Sequence, residues 1–151
     1  MPSAFLAMNA VQLFGRLHPL VLHFPIALLL LAAVVEGVRC FRTDAGLARL
    51  TVFLLTWGAL SALAAAGTGW VFSRELHPEP TLRATLMWHR WLGVSTALLA
   101  MLAWFTAHCW ADDHQLARRW IPRFIIWLTA VLVAIAAHLG ARIVWGADYF
   151  S

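Results

Sequence analysis

Charge is the scarcest feature of this sequence. Charged residues make up 12% of the 151 residues, about half of the roughly 25% that is usual in soluble domains. Lysine is absent, so arginine supplies all eleven basic residues. The arginines are spread over several segments and form no basic block, so the net charge of +4 does not indicate a nucleic-acid partner.

Cysteine is also scarce. Cys40 and Cys109 are the only two, and neither lies in a CxxC or CxxCH pattern. This excludes a covalently attached c-type haem and an evident zinc knuckle. The first residues lack a basic segment and include Pro2, so we expect no cleaved signal peptide. No internal repeat, hydrolytic triad or nucleotide-binding loop is evident.

Apolar residues are correspondingly abundant. They make up 62% of the chain, and the mean hydropathy is +0.77. Four apolar stretches, at about 19–38, 50–72, 89–110 and 124–145, are long enough to cross the bilayer, which takes about 20 residues. Because bare lipid tolerates only helices and closed barrels, we predict an all-α integral membrane protein. Its domain, residues 18–151, is an up-down bundle of four transmembrane helices.

A short segment precedes this bundle. In residues 1–17, apolar side chains recur at helical spacing; they are Leu6, Ala10, Leu13, Phe14 and Leu17. The pattern predicts a short N-terminal helix that lies on the membrane surface.

The up-down order places most histidines at one end of the bundle. His18, His23, His89 and His138 share that end with Gly67–Trp70, where the second helix finishes. Arginine-rich short loops lie at the other end, so the positive-inside rule predicts that this other end is cytoplasmic. We therefore expect a multi-pass protein of the bacterial inner membrane with periplasmic N- and C-termini.

Ionisable residues inside a membrane are costly and mark functional sites. A haem iron takes two axial ligands, and the core of a helix bundle can supply them from facing helices. The candidate metal ligands are His23, His89 and His138, with His18 as a fourth. We favour His23 with His89, since sequential packing makes the first and third helices diagonal. His18 precedes Pro19, which places it nearer the surface.

Other pairings of the four histidines are also compatible with the sequence. His18 and His23 point roughly 140° apart on an ideal helix, so they do not readily share one iron. His138 and His18 could serve a second haem or a quinone. A histidine cluster that only relays protons or forms hydrogen bonds is the alternative to haem.

Two further features suit a cofactor. Gly67 and Gly69 belong to a run of small residues that could form a flat wall for a porphyrin or allow close helix packing. Arg142 follows His138 by four positions and so shares its helix face. Its guanidinium suits a haem propionate, although an arginine there could also reach the lipid headgroups.

The stretch HPLVLHFPIALLL, followed by GTGW, HRWLG and HLGARIVWG, resembles a bacterial membrane family known as domain of unknown function 2231. The resemblance covers residues 18–145. It implies a four-helix domain similar to b-type cytochromes, with His18, His23, His89 and His138 as the motif histidines. Members of the family occur beside or fused to c-type cytochrome modules, so the resemblance implies a c-type cytochrome or other subunits of a membrane complex as partners.

These observations together predict a membrane-embedded electron-transfer subunit. It would hold one haem b, or two, near the periplasmic face and act between the quinone pool and a periplasmic cytochrome. We expect a subunit of an oxidoreductase complex rather than a stand-alone enzyme, and we assign no catalytic residue. The alternatives are a haem-free structural subunit and a histidine-based proton or metal transporter.

Overall fold

The computed structural model describes residues 10–42, 44–110 and 116–146, and the described part of the chain is helical with short connections. Leu6 and both chain termini lie outside these residues. The helices are α1 (Ala10–Arg16), α2 (His18–Val21), α3 (His23–Arg39), α4 (Ala45–Phe72), α5 (Arg83–Cys109) and α6 (Leu116–Trp145), with a 3-10 turn at Pro80–Leu82.

Helices α1, α2 and α3 follow one helical path. The backbone angles at Leu17 and Leu22 are helical, and the Leu22 N–H donates to the His18 carbonyl at 3.0 Å. The path is interrupted because Pro19 and Pro25 lack the N–H that an α-helix requires. Residues Ala10–Arg39 thus form one 30-residue segment that is long and apolar enough to span a membrane.

The predicted surface helix corresponds to α1. It packs against the end of α4, where an ideal Cβ on Gly15 would lie 3.0 Å from the backbone nitrogen of Phe72. That α1 lies on the membrane surface stays a prediction.

Four segments satisfy the requirements of a membrane span, which confirms the predicted fold. We call them span 1 (Ala10–Arg39), span 2 (Ala45–Phe72), span 3 (Pro80–Cys109) and span 4 (Trp120–Trp145). The helices of spans 2, 3 and 4 begin several residues earlier than hydropathy predicts, because hydropathy marks only the apolar part of a helix. Span 2, for example, begins after Asp44, whose carboxylate accepts from the Leu47 N–H at 3.0 Å as an N-cap.

The spans pack in a ring, each against the span before it and the span after it, with span 4 closing against span 1. Spans 1 and 3 are therefore diagonal, as predicted. The interior is built from small side chains, and Ala32, Ala100 and Ala103 are fully buried. Large apolar residues such as Leu20, Phe53 and Leu98 are exposed, which suits a surface that faces lipid.

The paired-histidine site

His18 binds the backbone of span 2. Its Nδ1 lies 3.0 Å from the Ala65 carbonyl oxygen and 3.4 Å from the Thr68 hydroxyl. A carbonyl can only accept, so Nδ1 carries the proton and Nε2 keeps a free lone pair. The ring packs on Gly69, where an ideal Cβ would come within 2.7 Å of Cε1. Glycine at this position therefore makes room for the imidazole.

His89 repeats this arrangement against span 4. Its Nδ1 lies 2.9 Å from the Ala136 carbonyl oxygen, so the same tautomer is favoured. An ideal Cβ on Gly140 would lie 3.0 Å from Cε1 of the ring. Each histidine is thus held by a carbonyl and a glycine that lie four positions apart on the neighbouring helix.

The two imidazoles meet across the diagonal of the bundle. Their ring centroids are 6.2 Å apart with an interplanar angle of 74°. The Phe72 ring packs beside them, with its centroid 6.5 Å from that of His18. All four spans contribute to the site, spans 1 and 3 through imidazoles and spans 2 and 4 through carbonyls and glycines.

The structure brings His89 to His18 and Gly69, and it leaves His23, His138 and Gly67 outside this contact. His23, His138 and Gly67 are exposed, and a Cβ on Gly67 would meet nothing within 4 Å. His18 and His23 are five residues apart, so they point in different directions on the helix. His18 points towards the bundle interior, where it contacts span 2. That histidines of this chain bind iron stays a prediction; the structure places His18, and not His23, beside His89.

Arg142 lies at the same end of the bundle, two residues after Gly140. Its Nε is buried and has no hydrogen-bond partner among the residues that the structure describes. Arg90, which follows His89 in the chain, has a different partner. Its guanidinium lies 4.2 Å from the centroid of the Trp70 ring, a cation–π contact. Arg142 is therefore the better candidate for recognising an anion.

A buried ionic cluster lies at the opposite end. Glu36 is 2% exposed and accepts from Arg123 at 2.9 Å, from Arg39 at 2.6 Å and from Thr51 at 3.3 Å. The cluster joins spans 1, 2 and 4. Glu36 lies 18 positions after His18, which corresponds to a rise of about 27 Å along a helix at 1.5 Å per residue. The sequence does not predict this cluster, because a lone glutamate near a helix end is equally compatible with the headgroups.

Most of the chain matches a known protein family. Residues 16–149 match the family of predicted membrane proteins designated DUF2231. The chain belongs to the DUF2231 family. The DUF2231 match includes both paired histidines and nearly all of the four spans, and it confirms the resemblance seen in the sequence motifs. Comparison with curated proteins and with solved structures found no match.

Proposed function

We propose that this DUF2231 protein is a membrane-embedded, b-type cytochrome-like electron-transfer subunit in which His18 and His89 would hold one haem b. The pairing of the two imidazoles carries the proposal. Each ring donates its Nδ1–H to a backbone carbonyl, which is how metal-binding histidines are usually oriented and made more basic. Each ring therefore keeps Nε2 for a metal.

The number of protein ligands favours haem over a bare metal ion. Within the described residues, no group of three or more His, Cys, Asp or Glu side chains could hold a metal ion. Zinc sites need three or four protein ligands. A haem needs only two, because the porphyrin supplies the others. A pair of histidines therefore suits haem best.

The spacing of the rings is compatible with a shared metal. The ring centroids are 6.2 Å apart, so both imidazoles lie close enough to be ligands of one metal-centred group. Gly69 and Gly140 present no side chain to the rings, so the walls behind the imidazoles are backbone.

Arg142 is our candidate for binding the acidic edge of the same group, because its Nε is buried without a hydrogen-bond partner in the part of the chain that the structure describes. A buried N–H without an acceptor is costly, and a carboxylate at Arg142 would relieve that cost through a charge-assisted hydrogen bond. The haem propionates are carboxylates of this kind. Arg142 would thus hold the haem edge that lies nearest the membrane surface.

When bound, haem supplies one-electron redox chemistry. The chain's own residues orient and cover the imidazoles. The Ala65 and Ala136 carbonyls fix the imidazole tautomers, and Phe72 covers His18. We propose that the histidine end faces the periplasm of a bacterial inner membrane, where the subunit connects a quinone pool with a c-type cytochrome. The chain has no CxxCH motif, so that cytochrome would be a separate subunit.

The visible spectrum of the detergent-purified protein, combined with elemental analysis, tests the proposal. We expect a sharp α-band after reduction and about one iron per chain. A colourless, metal-free protein would overturn the proposal. Bound copper or zinc without haem would favour a metal transporter instead.

A structural role is the second candidate, and the histidine hydrogen bonds favour it. They tie span 1 to span 2 and span 3 to span 4. His18→Gln separates the two roles, because an amide can still donate to the carbonyl but does not replace imidazole as an iron ligand. Loss of the α-band without loss of stability supports haem. In a colourless protein, a loss of stability in His18→Leu that His18→Gln does not share supports the structural role, because leucine cannot donate to the carbonyl.

A further inference from the structure

The two halves of the histidine site are related by a constant shift along the chain. His18 and His89 each bind the carbonyl of a residue 47 positions later. Each also packs on the glycine four positions beyond that carbonyl. Adding 71 to the numbers of His18, Ala65 and Gly69 gives His89, Ala136 and Gly140.

The same shift relates two contacts far from the site. The Trp104 indole donates to the Thr56 hydroxyl at 3.0 Å, and the Trp127 indole donates to the Ala33 carbonyl at 3.2 Å. Residues 33 and 104 are equivalent under the shift, and so are residues 56 and 127. The same pair of contacting positions is therefore joined by an indole twice, although the indole comes from the opposite member of the pair in each case, from Trp104 of span 3 and from Trp127 of span 4.

The buried positions follow the shift as well. All five buried residues of α3 have buried counterparts in α5. The pairs are Pro25 and Thr96, Leu29 and Ala100, Ala32 and Ala103, Val35 and Thr106, and Glu36 and Ala107. The residue types differ, so the relationship is visible in the packing but weak in the sequence.

We infer that spans 1–2 and spans 3–4 are two copies of one helical hairpin, related by an approximate twofold axis along the bundle, and that the histidine site takes one metal-centred ligand on that axis. A twofold rotation exchanges span 1 with span 3 and span 2 with span 4. This exchange leaves the order of the spans around the ring unchanged. Parallel repeats about an axis along the membrane normal are a known plan of membrane proteins. The identity of the ligand as haem rests on the proposed function.

The other two candidate histidines are not part of the repeat. The counterpart of His23 is Val94, and that of His138 is Gly67, so neither histidine has an equivalent. The equivalence also fails at the opposite end, where Glu36 corresponds to Ala107. Of the four candidate histidines, only His18 and His89 satisfy the twofold relationship, which supports two equivalent ligands of one centre.

Methionine substitution of each ligand tests this equivalence. Methionine can replace histidine as an axial ligand and raises the reduction potential. We expect one haem per chain in the unsubstituted protein. We expect His18→Met and His89→Met to raise the midpoint potential by similar amounts, and the control His138→Met to leave it unchanged. Two haems per chain, half of the haem retained in either variant, or a shift in only one of the two would overturn the inference.

A second measurement separates this inference from the haem assignment. If the protein binds no haem, the proposed function fails, and the hairpin repeat is tested by stability instead. His18→Leu and His89→Leu each remove one of the equivalent histidine-to-carbonyl hydrogen bonds. We expect similar decreases in Tm, with the control His23→Leu, an exposed histidine, causing no change. Clearly unequal decreases in a haem-free protein would overturn the repeat.

Discussion

The ring of His18 rests on the backbone of Gly69, where an added Cβ would come within 2.7 Å of Cε1. Such a contact is closer than real Cβ atoms make, so any larger residue must displace the ring. Gly140 stands in the same relation to His89, at 3.0 Å. The site therefore depends on two residues that contribute no side chain.

Gly69→Ala tests this dependence. We expect it to displace His18, to reduce haem content several-fold and to lower the free energy of unfolding by about 1–3 kcal/mol, as overpacking does. Gly67→Ala is the matched control, because the new Cβ would meet nothing within 4 Å. Haem content and thermal unfolding of both variants provide the comparison. Equal effects of the two substitutions would show that Gly69 has no special relation to His18.

Glu36→Gln tests the cluster at the opposite end. The change leaves Arg123, which is 6% exposed, without its charged partner. Breaking a buried ion pair in this way costs about 3–5 kcal/mol. Glu75→Gln is the control, since Glu75 lies 3.8 Å from the more exposed Arg16 and such pairs contribute about 0–1 kcal/mol. Unfolding in mixed micelles measures both, and a loss below 1 kcal/mol for Glu36→Gln would contradict the structural role of the cluster.

Arg142→Gln tests recognition of the propionates. We expect the variant to bind haem at least roughly tenfold more weakly, since a hydrogen bond to a charged group contributes about 1.5–3 kcal/mol. It should bind haem dimethyl ester, which has no free carboxylate, as well as the unsubstituted protein does. Arg74→Gln, an exposed arginine at the same end, is the control. An equal penalty for haem and its ester would show that Arg142 serves another partner, such as a lipid phosphate.

Cysteine labelling tests the orientation. Cys109 ends span 3 at the end opposite the histidines and is exposed. We expect a membrane-impermeant maleimide to label it only after the cells are permeabilised, in a Cys40→Ser background. Glu79→Cys, in a protein without native cysteines, adds a thiol at the histidine end. We expect the maleimide to label this thiol in intact cells. The reverse pattern would place the histidine site on the cytoplasmic side.

Much of the fold can be predicted from the sequence, because lipid imposes simple rules. Four apolar runs of sufficient length must form helices, and their order places His18 and His89 at one end. The ring of neighbours follows from short connections. These inferences need only local composition and chain order, and the structure confirms them.

The pairing of the histidines depends on helix phase, which hydropathy does not fix. Pro19 suggests a break that would move His18 out of the bundle, but the backbone angles at Leu17 stay helical and the helical path continues into α2 and α3. One signal is present in the sequence. Alanine and glycine four positions apart occur at Ala65 and Gly69, and again at Ala136 and Gly140. The Glu36 cluster has no such signal, since Arg123 is 87 positions away.

The haem content of four glutamine variants tests the central claim most directly. His18→Gln, His23→Gln, His89→Gln and His138→Gln should be purified alike, and the reduced α-band of each compared at equal protein concentration. If His18 and His89 bind the iron, the band is lost in His18→Gln and His89→Gln and retained in His23→Gln and His138→Gln. A band that persists in His18→Gln and disappears in His23→Gln would contradict the account.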